Sequence, residues 1–425
     1  MSYIFLLLFC VAIYFFIREE KVGNILCLLT LFPELVGVLL NKAGFMGLNM
    51  AVKYALFAVC LWECRRMINE NFSNLWRNPI SILFYLLVAA MVWHNEFYIG
   101  GADTNPNIAT FQLNVILRVF IPYIIIMLCA DHDDVIEQYC NSIPWWGLGF
   151  IVAFVALMGF GAVDMSDRMT LEKETGVNSI LLSRIAAMTI LGALIPYLRA
   201  TDKLLKYSYL VIVIIGAFML LLASQRGTII GVGVAVILAL ALILIREGKQ
   251  KQFWIITTCL VAVIFILLNF FDFEILHRFQ QLKGYQSFER YADYGIAWRA
   301  FSENDYLTGL GSMGYNKYTG GFRPYPHSMI LELMAEYGLI GLITAIGIVV
   351  IGSWMTYKIL IRTENVASEM AVPVIWVSLL FSVLVSGSFL SNAPFYLTTA
   401  ILILCYQNQE QEDSDNSITH AFKLQ

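Results

Sequence analysis

Charge is what this chain has least of. Only 14% of its 425 residues are Asp, Glu, Lys or Arg, against roughly 25% in an ordinary soluble domain, too few to cover a water-facing surface of this size. Hydrophobic residues make up 59% and mean hydropathy is +0.72, so the chain reads as an integral membrane protein. That excludes a secreted disulfide scaffold, a nucleic-acid module with a basic face and a cytosolic enzyme. The net charge of −4 is small and selects no partner. There is no C-x-x-C pair, and Cys10, Cys27, Cys60, Cys259 and Cys405 lie inside apolar runs, where they read as small core residues without disulfides. Zinc spacing, a nucleophile elbow, a P-loop and an internal repeat are all missing. Tyr3 to Ile17 has no positive residue before it and no small-residue cleavage site after it, so it reads as a short span and not a removable signal.

What is present is a series of apolar runs of about 20 residues, the length that crosses a bilayer as a helix. They fall near 2–17, 22–41, 48–64, 80–99, 112–130, 144–163, 180–198, 206–223, 227–245, 253–271, 328–357, 371–389 and 393–406. The last two are close enough to form in part a re-entrant pair. The expected fold is an all-α polytopic membrane protein of about 12–13 transmembrane helices. Its segments are transmembrane helices over 1–271, a large loop over 272–326, C-terminal transmembrane helices over 327–406 and a polar tail over 407–425.

Lys and Arg set the orientation. Arg18, Lys21, Arg65, Arg66, Arg77, Arg199, Lys203, Lys206, Arg246, Lys249, Lys251, Lys358, Arg362 and Lys423 fall on one side, whereas the short loops opposite hold Lys42, Arg168, Lys173 and Arg226. The richer side is cytoplasmic, which puts the loop 272–326 outside. At about 55 residues it is too long for a plain connection. An amphipathic helix is expected around Tyr291 to Ser302, with the loop forming most of an external site.

Polar groups that the bilayer disfavours mark where function sits. Lys53, Arg118, Arg184, Glu332 and Glu336 interrupt apolar runs. The glutamates share a helix face, and Arg or Lys on neighbouring helices are their expected partners, with Gly338 and Gly341 allowing close helix contact. Arg226 sits at a break, Ser224-Gln225-Arg226-Gly227-Thr228, where it either snorkels to the headgroups or, as preferred here, points into an outward cavity. In Arg323-Pro324-Tyr325-Pro326-His327-Ser328 the prolines disfavour helix in the residues before them, which leaves His327 fixed at the membrane lip. A His there serves equally well as a cap or as a catalyst. Were it on the same helix as the glutamates it would point away from them, so no Glu–His pair is expected. Gly309-Leu-Gly311-Ser-Met-Gly314 matches G-x-G-x-x-G without a βαβ unit around it, and these read as turn glycines. Asp131-His132-Asp133-Asp134 reads as a solvated turn, not a metal site.

These residues resemble a known family. Arg290 to Gly314, with Trp298 and Tyr306-Leu-Thr-Gly309-Leu-Gly311, then Pro326-His327-Ser328 and Glu336-Tyr-Gly338-Leu-Ile-Gly341, is similar to the C-terminal signature shared by O-antigen polymerases and O-antigen ligases. Ser-Gln-Arg226-Gly resembles the family's Ser-Arg-Gly break. Two positions depart from the pattern: Leu307-Thr308 stands for Pro-Leu, and Ser328 for Asn. The resemblance is strong over 224–341 and rests on hydropathy alone in the N-terminal half.

The resemblance implies a C-type glycosyltransferase of the bacterial inner membrane with its site facing the periplasm. The donor would be an undecaprenyl-pyrophosphate-linked oligosaccharide, with no cofactor, no metal and no nucleic acid. The lipid membrane is its setting, and a chain-length regulator protein is an admissible partner. Arg226 and Arg290 would grip the pyrophosphate, as bidentate, always-charged side chains suit, and His327 would activate the acceptor hydroxyl. Arg168, Arg278, Arg299, Arg323 and Glu336 are further substrate-binding candidates. Polymerase and ligase differ only in acceptor; the acidic pI near 5.8 tilts the reading to polymerase. A flippase of the lipid-linked sugar is the rival from another class, and polar residues concentrated at one face argue against it.

Overall fold

The computed structural model describes residues 2–94, 106–129, 133–158, 179–258, 285–362 and 370–423, save short gaps within them. Every regular element among these residues is helical, and the protein is an all-α polytopic membrane protein. In chain order the principal helices are α1 (Ser2–Arg18), α2 (Val22–Leu31), α3 (Pro33–Lys42), α4 (Asn49–Glu63), α5 (Pro79–Trp93), α6 (Pro106–Val115), α7 (Ile121–Cys129), α8 (Asp133–Met158), α9 (Ser179–Arg199), α10 (Lys203–Ala223), α11 (Arg226–Arg246), α12 (Tyr285–Ser302), α13 (Gly314–Tyr318), α14 (Met329–Arg362), α15 (Ala371–Val385) and α16 (Ala393–Lys423).

Most of the apolar runs become these helices. Among the described residues five are long and apolar enough to cross a membrane, or six if the bent pair α2–α3 is one span, with α1, α5, the first part of α11 and α15 as shorter apolar helices. The run 253–271 lies largely outside the described residues. Local chemistry explains the boundaries. Pro79 starts α5 where a missing N–H costs nothing, and the Asn78 side chain accepts the Ile80 amide at 2.9 Å. Pro33 breaks the second span, and α2 and α3 meet at 78°. The fifth span carries a π turn, Ile116–Phe120, between α6 and α7. Two ends differ from expectation. α8 starts at Asp133, ahead of the expected 144, with Pro144 inside it. The tail from Gln407 continues α16 to Lys423, since no Pro or Gly interrupts it. The expected amphipathic helix is α12, six residues longer at its start.

α9 is the central span: 83% of its apolar window is buried, against 28% for its neighbour α10. Whatever polar side chain α9 carries in its first half therefore faces protein and cannot reach headgroups.

Candidate functional site

Between the loop and α14, two separated sequence motifs lock into each other. α14 is broken at Tyr337 and Gly338, the latter at φ +59°, ψ −140°, a conformation open in practice to glycine alone. The backbone groups freed by the break are taken up by the segment 306–311: Leu310 N–H donates to Ala335 O (3.0 Å), Gly311 N–H to Glu336 O (2.7 Å), and Leu339 N–H to Tyr306 O (2.7 Å). The approach is so close that a Cβ on Gly309 would lie 2.5 Å from Gly338 N, and one on Gly338 would lie 2.5 Å from Tyr306 O. A Cβ on Gly311 would strike the His94 ring. The glycines are turn residues, as expected, with φ +68° at Gly309 and +79° at Gly311. Gly338, expected to ease helix contact, instead accommodates this loop. The Asp305 carboxylate closes the turn by accepting from Leu307 N–H (2.9 Å) and Thr308 Oγ1 (2.8 Å). These bonds hold it below the ordinary carboxylate range.

Neither glutamate of α14 meets Arg or Lys among the described residues, which corrects the expected ion pairs. Glu332 accepts the Phe389 backbone N–H at 2.9 Å. Glu336 lies near the backbone amides of Met313 and Tyr315, and its Oε2 has no hydrogen-bond partner among the described residues. Both glutamates are buried. Backbone takes the place expected of cations because the 306–318 loop and the segment before α16 pack against this face of α14.

Just before α14, His327 adopts φ +55°. The helix begins at Met329, so His327 stands in a left-handed turn ahead of it, between buried Pro326 and buried Ser328. Its ring meets that of Tyr325 edge-on, centroids 4.6 Å apart. A left-handed residue with a Cβ is strained by roughly 1–2 kcal/mol, and such strain collects at functional sites. Of the three non-glycine residues with positive φ among the described residues, His327 and Met313 both belong to this region.

Tyr325 leads to the group that sequence reading left without a role. Arg184, on central α9, is 1% exposed. Its Nε donates to Ser382 Oγ at 3.0 Å and its terminal NH2 to Asn392 Oδ1 at 2.5 Å, and Tyr325 and Tyr396 lie within electrostatic reach. Ser382 also meets Thr228 Oγ1 (3.4 Å), which meets Ser183 Oγ (3.0 Å), and Gln225 Nε2 donates to Ser179 Oγ (3.1 Å). These contacts pin the start of α11, where Arg226 stands half-buried. Hydrogen bonds through Ser382 and Thr228 thus link the Arg184 hub to the start of α11, and Tyr325, which meets His327 edge-on, lies within electrostatic reach of Arg184.

The remaining candidates lie elsewhere or outside the described residues. Arg290 lies in α12, one turn before Asp293; its side chain is outside the described residues, as are Arg168 and Arg278 entirely. Arg299 is exposed. Arg323 pairs with buried Asp293, Nε to Oδ1 3.3 Å, which ties the strap before His327 to α12. Arg184 was visible in sequence as a charge in an apolar run, but its partners on α15 and just before α16 were not. An open hollow of about 410 Å3 lined by His94, Asn304, Asp305, Lys317 and Tyr318 lies above the glycine lock, a size in the range of small-ligand pockets. Among the described residues no group of three His, Cys, Asp or Glu could hold a metal ion.

Residues 211–346 match the family model described as O-antigen ligase. No curated protein matches the chain. The matched stretch runs from α10 into α14 and contains Arg226, Arg290, Gly309, Gly311, His327, Glu336 and Gly338. It bears out the resemblance to the O-antigen ligase and polymerase superfamily and supports a membrane glycosyltransferase function of that general type.

Proposed function

We propose that the protein is a surface-polysaccharide polymerase of the bacterial inner membrane, joining undecaprenyl-pyrophosphate-linked repeat units at the periplasmic face. The observation that carries the reading is the strained His327 turn, held against Tyr325 near the Arg184 hub, whose hydrogen bonds run through Ser382 and Thr228 to the start of α11. The His327 imidazole accepts the proton of an acceptor hydroxyl. The oxygen bonds to the donor's anomeric carbon, the bond from that carbon to the phosphate oxygen breaks, and its electron pair leaves on the lipid pyrophosphate. Arg226 and Arg290 neutralise that leaving group, Arg being suited to bidentate phosphate contacts. Arg184 touches no reacting atom in this scheme; it positions Tyr325 and the α11 start.

Deletion of the gene tests the acceptor. Lipopolysaccharide capped with single repeats is the expected result. Bare core with accumulated lipid-linked polymer would make the protein a ligase, and loss of outward movement of the lipid-linked unit would make it a flippase.

A further inference from the structure

The proposed reaction needs two lipid pyrophosphates at once: one departs with the donor lipid, the other stays on the acceptor repeat. The hub at Arg226 accounts for one. A second cation pair, singled out in the sequence and unused so far, lies on the other side of the start of α16. Glu34, Lys53, Tyr54, Arg118, Ala393 and Leu397 line a cavity of about 60 Å3, room for a few waters at about 10–15 Å3 per water. Successive residues at the start of α16 stand about 100° apart around the axis, so neighbouring faces serve the two sites. Asn392, just before the helix, binds Arg184 and Tyr396 lies near that hub, whereas Ala393 and Leu397 line the Lys53 cavity.

Three irregularities converge on this cavity. Pro33 and Glu34 stand at the 78° break between α2 and α3, Arg118 is in the π turn, and the Tyr54 hydroxyl donates to Leu117 O of that turn at 2.6 Å. Non-helical backbone at membrane depth persists where it is buried or lines a polar cavity, and π turns are frequent at functional sites. Two positive charges here face one negative. Among the described residues neither Lys53 nor Arg118 forms a hydrogen bond or ion pair, although Glu34 attracts Lys53 and Arg118 repels it. Lys53 is half-buried and Arg118 is exposed at the cavity's edge; charges in apolar spans face a cavity or a partner, and an anion entering here would meet both.

We propose that Lys53 and Arg118 bind the pyrophosphate of the acceptor lipid, with Tyr54 as a neutral donor and Glu34 holding the two cations apart. The proposal rests on the polymerase reading above: a ligase, whose acceptor carries no polyprenyl pyrophosphate, has no use for the second site.

Native mass spectrometry of the full chain in phosphatidylcholine nanodiscs, titrated with undecaprenyl pyrophosphate, tests it. Two lipids per chain are expected for the unaltered protein and one for the double variant Lys53→Gln, Arg118→Gln, the second weakened about 10- to 100-fold, as loss of charge-assisted hydrogen bonds predicts. The charge-keeping double variant Lys53→Arg, Arg118→Lys retains two, which separates loss of charge from loss of fold. Arg226→Gln retains the lipid that Lys53 and Arg118 hold. One lipid in the unaltered protein, indifferent to Lys53 and Arg118 and lost with Arg226→Gln, overturns the proposal and leaves the donor reading standing. No bound lipid at all brings down the donor reading and this proposal together. Displacement of the second lipid by equimolar phosphatidylglycerol overturns it too, since the site would then hold any anionic headgroup.

Discussion

Replacing His327 by glycine separates chemistry from folding, because the backbone there already adopts the conformation glycine favours. At φ +55° a residue with a Cβ carries a strain of about 1–2 kcal/mol, which His327→Gly relieves. Against this stand the lost edge-on contact with Tyr325, worth about 0.5–1.5 kcal/mol, and the extra chain entropy of glycine, about 0.5–1 kcal/mol. The sum lies within roughly 1–2 kcal/mol of zero, so the purified protein should melt within a few degrees of the unaltered one. Polymer formation from a defined lipid-pyrophosphate repeat should nevertheless fall by about 10²- to 10⁴-fold, the usual worth of a general base. His327→Ala, which keeps the strain and loses the ring, should be as inactive and less stable than His327→Gly. Full activity in His327→Gly would refute the assignment of the imidazole. Inactivity accompanied by a collapsed melting transition would refute the strain argument.

Gly338→Ala puts a Cβ 2.5 Å from Tyr306 O at a backbone geometry reserved for glycine, so thermal unfolding in detergent should show a loss of about 2–5 kcal/mol; Gly295→Ala in α12, with nothing within 4 Å, should be neutral or slightly stabilising. Arg184→Lys keeps the charge but cannot span Ser382 and Asn392 as a fork does, and polymer synthesis by purified variants should fall at least tenfold with a lower melting temperature. The Asp305 carboxylate is held below its usual range by Leu307 N–H and the Thr308 hydroxyl. A depressed folded pKa gives stability that is complete above the unfolded value near 3.8 and fades as pH falls through the folded one. Acid unfolding monitored by circular dichroism should show this loss below about pH 4 in the unaltered protein and not in Asp305→Asn.

The spans were legible because hydropathy at bilayer length is a local property; the fracture at Pro33 was not read from the sequence, where 22–41 stood as one span. Tail helicity was not legible either: Gln407 to Lys423 is polar all round, so its helix has no apolar period to announce it. The motif glycines could be read as turns, yet the pairing of Gly309 with Gly338 joins positions 29 apart in the chain, and no single-sequence spacing encodes that. The same holds for Arg184, whose charge was conspicuous but whose partners Ser382 and Asn392 lie about 200 residues away. Glu332 and Glu336 were expected to find cations; Glu332 finds the Phe389 backbone amide and Glu336 faces backbone, neither of which leaves a trace in residue identity.

The interlocked glycines also bear on how this molecule could be re-engineered. Because α14 completes its backbone bonding with 306–311, the extramembrane segment is not a detachable module. A graft that exchanges 272–326 between relatives must carry Ala335 to Leu339 along with it, or the recipient helix is left with unmatched amides at its fracture. Specificity can therefore be reshaped freely only on the stretches that flank this seam.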